Sequence, residues 1–397
     1  MASLLTVDEA RARVLERARP LPTERVALAD AAGRVLAEEA RALVDLPPFP
    51  SSAMDGFAVR SRDTPGSLRV AYEVAAGRAA EDPLPAGQAA AIATGGHVPD
   101  GADAVVPVEL VAVIDGQVDV PAPVELGSNV RVRGGDVRAG DVVVDRGSRL
   151  GAAQIGSLAA AGVAEVVCSA RPRVKVLVTG SELRAPGDPL GPGQIYESNG
   201  AMLRASLEAA GATVELLPVV SDDAKLHRDA IEQGLAADVL VTSGGVSVGP
   251  HDLVRRIESE LGVEEVLWGV AVKPGKPLAF GVRGSTLVFG LPGNPVSSLV
   301  GALLFVRPAL LALQGASNPG PVYETATTTV ALLRNAHRDE FLRARRHPTV
   351  DGTTVVPVGG QDSHMIVRAA TADALVLVPR GAGEIAAGAR VRYVSLT

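Results

Sequence analysis

Residues 243 to 252 read SGGVSVGPHD, and Gly245-Val246-Ser247-Val248-Gly249 within them fits the GxSxG pattern of a hydrolase nucleophile elbow. An elbow needs a helix that starts directly after the serine, so that the hydroxyl stands exposed on a sharp turn. Here Val248, Gly249, Pro250 and His251 separate Ser247 from the first helical pattern. His337, His347 and His364 follow downstream, so chain order alone leaves a triad open, but the local spacing favours another use. The stretch also lacks the GK[ST] of a phosphate-binding P-loop. Ser243, Gly244, Gly245 and Ser247 can instead offer backbone N–H groups and hydroxyls to an anion.

A second stretch, KPGKP, sharpens that reading. The chain has 38 Lys plus Arg, yet its only lysines are Lys175, Lys225, Lys273 and Lys276, and two of them fall in this one loop. Lysine is a compact point charge, whereas arginine is a planar fork. Two lysines, each followed directly by a proline (Pro274 and Pro277) that limits the loop's freedom, suggest a small oxyanion or phosphate site; two solvated turn residues are the plain alternative. Carboxylates complete the set: Glu182 in VTGSEL, Asp222 and Asp223 in SDD, and Asp252 after the SGG loop. Acids beside anion-binding groups make sense if Mg²⁺ bridges them, with Asp222 and Asp252 as its ligands. Helix N-capping or an Asx turn would explain the same aspartates without a metal.

These residues need a scaffold that brings four loops together: TGSELRAPGDPL, SGGVSVGPHD, KPGKP and LPGNPVSS, the last carrying Asn294 and Ser297. From residue 173 the chain alternates apolar runs (RVKVLVTG, TVELLPVV, DVLVTSGG, EVLWGVAV) with helical patterns (NGAMLRASLEAAG, DAKLHRDAIEQGLA, HDLVRRIESELG). That alternation predicts a doubly wound, mostly parallel α/β domain over 170–316, in which ligands bind at the carboxyl ends of the strands. PLAFGV and STLVFGLP read as a further strand pair, followed by the helix PVSSLVGALLFVRPALLALQG. Upstream, 1–43 and 139–169 carry helical spacing and are read as one discontinuous helical domain, LADAAGRVLAEEARA included. Short Val-rich runs between turns make 44–138 an inserted β-rich domain, and 317–397 reads as a separate C-terminal β domain.

Composition narrows the classes. A net charge of −7 gives no basic field for nucleic acid. A single cysteine, Cys168 in AEVVCSA, excludes an internal disulfide and a thiolate cluster, and reads as core. The N-terminus has no secretory h-region, which points to the cytoplasm. No charge falls between Arg283 and Arg307, long enough for a membrane span. Pro292, Gly293, Asn294, Pro295, Ser297 and Ser298 interrupt that stretch, so a strand, a turn and a buried helix are expected and no membrane contact.

Taken together, PPFPSSAMDGFAVR, IATGGHVPDGADAVV, NVRVRGGDVRAGD, VLVTGSEL, SDD, TSGGVSVGPHD, KPGKPLAFG, GLPGNPVSS and QDSHMI occur in the order found in one family. Over essentially its whole length the chain resembles the MoeA-type molybdopterin molybdenumtransferases, to which the C-terminal domain of gephyrin also belongs. The resemblance implies an elongated homodimer and a C-terminal domain of β-barrel type. It implies a reaction in which adenylylated molybdopterin and molybdate give molybdenum cofactor and AMP, with Mg²⁺ required. By motif, Asp55, Thr94, Asp136, Glu182, Asp222 and Asp252 match positions linked to activity, although Asp55, Thr94 and Asp136 carry no assignment from spacing alone. Lys273, Lys276, Ser297, Arg343 and Ser363 match positions linked to molybdate or ligand binding, and Asn294 joins them in the same loop set. Ser181 stands where many relatives have Asp, and His251 where an acid or Ala can stand. Two other readings compete: a molybdopterin adenylyltransferase, which shares only the α/β domain, and a non-catalytic molybdopterin-binding scaffold that contacts other molybdenum cofactor enzymes.

Overall fold

The computed structural model describes residues 4–75, 77–221, 223–245 and 253–396. Asp222, Ser247 and Asp252 therefore lie outside the described residues, as do Val246, Val248, Gly249, Pro250 and His251.

The α/β layer is built from β1 (Arg173–Val178), β2 (Thr213–Leu216), β3 (Val239–Ser243), β4 (Glu264–Trp268), β5 (Ala279–Arg283) and β6 (Thr286–Leu291). Their order across the sheet is β2-β1-β3-β6-β5-β4. β2, β1, β3 and β6 are mutually parallel, and β5 runs antiparallel to both β6 and β4. The reversal comes from the tight β5–β6 hairpin, since a connection of a few residues can join only antiparallel neighbours.

Alternate side chains on each strand enter different cores, as the two-residue period requires. Val174, Val176, Val241, Phe289 and Leu291 face α1 (Asn199–Ala209) and α4 (Pro295–Leu313). Leu177, Leu240 and Val288 face α2 (Ala224–Gly234) and α3 (Leu253–Glu260). Each buried Val or Leu contributes about 1.5–3 kcal/mol relative to exposure, so both faces are firmly anchored. α4 is the uncharged stretch noted above. It is long and apolar enough to cross a membrane, but 83% of its most apolar window is buried inside this core.

The N-terminal part departs from its helical pattern. Helix Val7–Arg17, closed by a Thr6–Glu9 capping box, packs Val7, Ala10 and Val14 into the α/β core. Residues 28–42 form no α-helix: a short 3₁₀ turn at Leu28–Asp30 leads to Gly33 at φ 75°, and Val35, Leu36 and Ala40–Arg41 then pair as strand. The apolar spacing there serves two-sided burial between strands, which a helical repeat can mimic over one or two turns. Thr23–Ala27 pairs antiparallel with Glu165–Ser169, setting Glu24 opposite Cys168, which is 0% exposed. Ala40–Arg41 pairs with Val142–Val144. The chain thus leaves and re-enters this unit on paired strands, with helix Ala152–Ala160 beside them.

Between those strands lies a six-stranded sheet formed by residues 56–59, 66–74, 88–92, 104–107, 112–114 and 117–120. At the other end of the chain, Tyr323–Thr328, Asp339–Thr349, Gly352–Pro357, Ala374–Val378 and Arg390–Ser395 close into a five-stranded barrel. Val272–Lys273 adds to the barrel strand Asp339–Thr349 in parallel, pairing Lys273 with Glu340. The lysine loop is thereby tied to the α/β layer and the barrel at once.

Candidate functional site

The carboxyl ends of β1, β3 and β6 converge on a cavity of about 690 Å³. Its walls include Thr179, Gly180 and Glu182 after β1, Ser243, Gly244 and Gly245 after β3, and Pro292, Gly293 and Asn294 after β6. Backbone geometry explains the small residues. Gly244 has φ 101°, and a Cβ there would sit 2.8 Å from the Thr179 carbonyl oxygen; at Gly245, φ 66°, it would sit 2.5 Å from Val254. The Glu182 carboxylate folds back over Gly180, where a Cβ would lie 2.8 Å from both carboxylate oxygens.

Two polar residues in this wall carry no signal in the sequence. Asn199, at the start of α1, donates through Nδ2 to Ser243 Oγ (2.9 Å) and the Gly293 carbonyl (2.7 Å), while its buried Oδ1 has no partner among the described residues. His227 on α2 is 1% exposed, with Nδ1 2.9 Å from the Asp223 carbonyl. Since a carbonyl only accepts, Nδ1 is the donor in this contact. SNG and KLH read simply as helix positions before the fold brings them to the cavity. Asp223 caps α2, its carboxylate accepting the Leu226 N–H at 2.9 Å.

A neighbouring cavity of about 320 Å³ shares Pro277, Pro292 and Asn294 with the first. Lys273, Lys276 and Ser297 line it from the α/β side; Arg338, Gln361, Asp362 and Ser363 line it from the barrel. The two lobes are stitched together here: Asn294 Nδ2 donates to Ser363 Oγ (2.9 Å), and the Val296 N–H to the Ser363 carbonyl (3.0 Å). α4 opens at this point with Pro295 at its first turn and no side-chain cap, so its positive end faces the cavity. Lys273 is already paired, its Nζ 2.8 Å from Glu340 Oε1. Lys276 and Arg338 have no side-chain partner among the described residues.

Arg343 departs from its expected place at the anion. Its side chain is 0% exposed, and its guanidinium donates to the carbonyls of Met365 (2.5 Å), Gly360 (2.9 Å) and Asp362 (3.1 Å). Gln361 closes the arrangement by accepting the Arg343 N–H at 3.0 Å and donating to its carbonyl at 2.9 Å. Arg343 therefore shapes the loop that carries Ser363, and Arg338 is the guanidinium on the cavity wall. A lone arginine ahead of a strand gave no reason to choose it. Arg345, two residues further along the same strand, donates to the Thr371 carbonyl at 2.7 Å.

Asp55, Thr94 and Asp136 line neither cavity. The Asp55 carboxylate accepts the Thr94 N–H at 2.6 Å, and this bond, followed by that from the Thr94 hydroxyl, holds its carboxyl below the usual range. Asp136 is exposed, with its N–H donated to the Leu46 carbonyl at 2.9 Å. No group of three or more His, Cys, Asp or Glu that could hold a metal occurs among the described residues.

Comparison with known proteins agrees with this architecture. Three family models match in order: "MoeA N-terminal region (domain I and II)" over 5–162, "Probable molybdopterin binding domain" over 175–312, and "MoeA C-terminal region (domain IV)" over 325–396. The chain is 38% identical to molybdopterin molybdenumtransferase 2 of Mycobacterium tuberculosis, covering 99% of this chain and 100% of the relative. It is 36% identical to the molybdopterin molybdenumtransferase of Haemophilus influenzae, covering 98% of each. Among solved structures it is similar to a molybdopterin biosynthesis MoeA protein from Pyrococcus horikoshii (TM-score 0.85, 28% identity, 99% of this chain and 100% of that one). A second crystal structure of a MoeA protein from that organism superposes at TM-score 0.80 with 31% identity, covering both chains fully. With all three of its regions matched and near-complete coverage of these relatives, the chain belongs to the MoeA family.

Proposed function

We propose that this protein is a molybdopterin molybdenumtransferase, inserting molybdate into adenylylated molybdopterin with release of AMP in molybdenum cofactor biosynthesis. The observation that carries the proposal is the pair of cavities meeting at Pro277, Pro292 and Asn294. The larger one has the volume and the hydrogen-bonding wall for a heterocycle. The smaller has the cations and helix end for a compact dianion. Molybdate held by Lys276, Lys273 and Arg338, with Ser297 and Ser363 as hydroxyl partners, would stand beside the substrate's metal-accepting sulfurs. The Gly244 N–H is engaged by the Leu291 carbonyl (3.1 Å), so the Gly245 N–H would face the adenylate phosphate, and stabilising charge there favours departure of AMP. Nothing in this arrangement calls for a serine nucleophile.

Mg²⁺ belongs to the same proposal, with Asp222 and Asp252 as its ligands; the described residues alone do not assemble its site, and no step above passes through it. A cytoplasmic homodimer completes the reading, giving Asp55, Thr94 and Asp136 a place where a second copy could bring them to substrate. The barrel's contribution of Arg338, Gln361 and Ser363 to the smaller cavity favours a transferase over an adenylyltransferase, for which an α/β domain alone suffices. The test is a reaction of purified protein with adenylylated molybdopterin, Mg²⁺ and molybdate. AMP release that depends on molybdate is expected; absent or molybdate-independent release would refute the assignment.

A further inference from the structure

Away from the sheet edge, a third cavity of about 500 Å³ lies where the N-terminal unit, α4, the 316–322 connection and the barrel meet. Arg149, Arg307, Ser317 and Glu324 are among its walls. Arg149 is held in place: Nε donates to the Gly33 carbonyl (3.2 Å) and Nη2 to the Ala209 carbonyl (2.8 Å) at the end of α1. The connection is pinned too, with the Ser317 N–H on the Gly147 carbonyl (3.1 Å) and its hydroxyl on the Arg146 carbonyl (3.3 Å). Glu324 already accepts the Tyr393 hydroxyl at 2.6 Å.

Arg307 is different. It projects from the middle of α4, half-buried, and its side chain has no hydrogen bond or ion pair among the described residues. Burial, and then the charge of Arg149, both act against its cationic form. Folded proteins pair charges they withdraw from water, because an unpaired one is costly. Among the described residues two guanidiniums share this cavity with one carboxylate, which leaves local positive charge uncompensated among them.

We propose that Arg149 and Arg307 form a binding site for a small oxyanion of the phosphate class at this junction, separate from the lysine-lined cavity. A phosphate has oxygens enough to engage the Arg307 fork and the Arg149 N–H groups that the Gly33 and Ala209 carbonyls leave over, and its negative charge offsets the repulsion between the two cations. Because the cavity walls come from four parts of the chain, a bound anion would also fasten those parts together.

Isothermal titration of the full chain with inorganic phosphate tests this, in a Lys273→Gln/Lys276→Gln background that silences the other anion cavity. One equivalent of phosphate is expected to bind. Adding Arg307→Gln should weaken binding about tenfold or more, and Arg307→Lys less, since it keeps the charge but not the fork. In phosphate-free buffer, Arg307→Met should raise Tm and remove the stabilisation that phosphate gives the parent. No phosphate binding in the double-lysine background, or binding untouched by Arg307→Gln, would overturn the proposal. If Arg307→Gln instead splits a dimer in sedimentation and phosphate does not bind, the cation serves a carboxylate of a second copy, and the small-anion proposal is wrong. The molybdate-dependent AMP assay does not rely on these arginines, so each reading can fail without the other.

Discussion

Replacing Arg343 separates two roles that would look alike in an activity assay. In the structure its guanidinium holds three carbonyls of the 360–365 loop, and that loop presents Ser363 to Asn294. A hydrogen bond to a charged group contributes about 1.5–3 kcal/mol, but three on one buried group share a single desolvation cost and cannot be summed. Removing one side of such a buried charged network costs on the order of 3–5 kcal/mol. That is a large fraction of the roughly 5–15 kcal/mol that stabilises a domain. Arg343→Ala should therefore destabilise the barrel by about this amount, and Arg343→Lys by roughly half, since an ammonium keeps charge but lacks the fork. The assay is urea denaturation followed by circular dichroism, paired with molybdate titration of the same samples. Affinity is expected to fall in step with stability as Ser363 loses its position. If Arg343→Lys kept stability within about 0.5 kcal/mol yet abolished molybdate binding, the guanidinium would be touching the anion itself and this account would be refuted.

Two further substitutions follow from the same geometry. Lys276→Gln should weaken molybdate binding about tenfold and flatten its salt dependence; Lys273→Gln should cost less because Lys273 is already paired with Glu340, and the reverse order in titration would contradict this. Asp238, half-buried and held by the Arg173 guanidinium and N–H at 2.8–3.2 Å, has its carboxyl lowered: burial opposes the shift, and the Arg173 bonds outweigh it. A depressed folded value stabilises above the unfolded carboxylate range, near 3.9, and is lost as pH falls through the lower folded value. Asp238→Asn should cost about 1 kcal/mol at neutral pH, after allowance for the exposed Arg173. The difference between the two proteins should vanish in acid, and a constant gap down to pH 2 in pH-dependent unfolding would oppose the assignment.

Much of the α/β layer was legible because it depends on local regularities. Runs such as VKVLV and DVLV can satisfy two apolar faces only as central parallel strands, and the glycines after them announce loops on one edge. The stretch at 28–42 was not legible, since apolar residues three and four apart suit a helix turn as well as a chain folded between strands. Telling these apart requires partners such as Arg149 and Cys168, which lie more than a hundred residues away.

At the site, residue types alone determined the kind of chemistry. Two of four lysines in a proline-fenced loop and glycines where no side chain fits point to an anion held by point charges and backbone N–H groups. Which cations are available was decided by tertiary structure. Glu340 reaches Lys273 only because a two-residue strand joins the barrel, and Arg343 turns inward because three carbonyls of one loop converge on it. Arg338 reaches the cavity by the docking of one domain on another. A sequence states which groups a chain carries; whether a charge is free, paired or buried depends on neighbours that only long-range folding supplies.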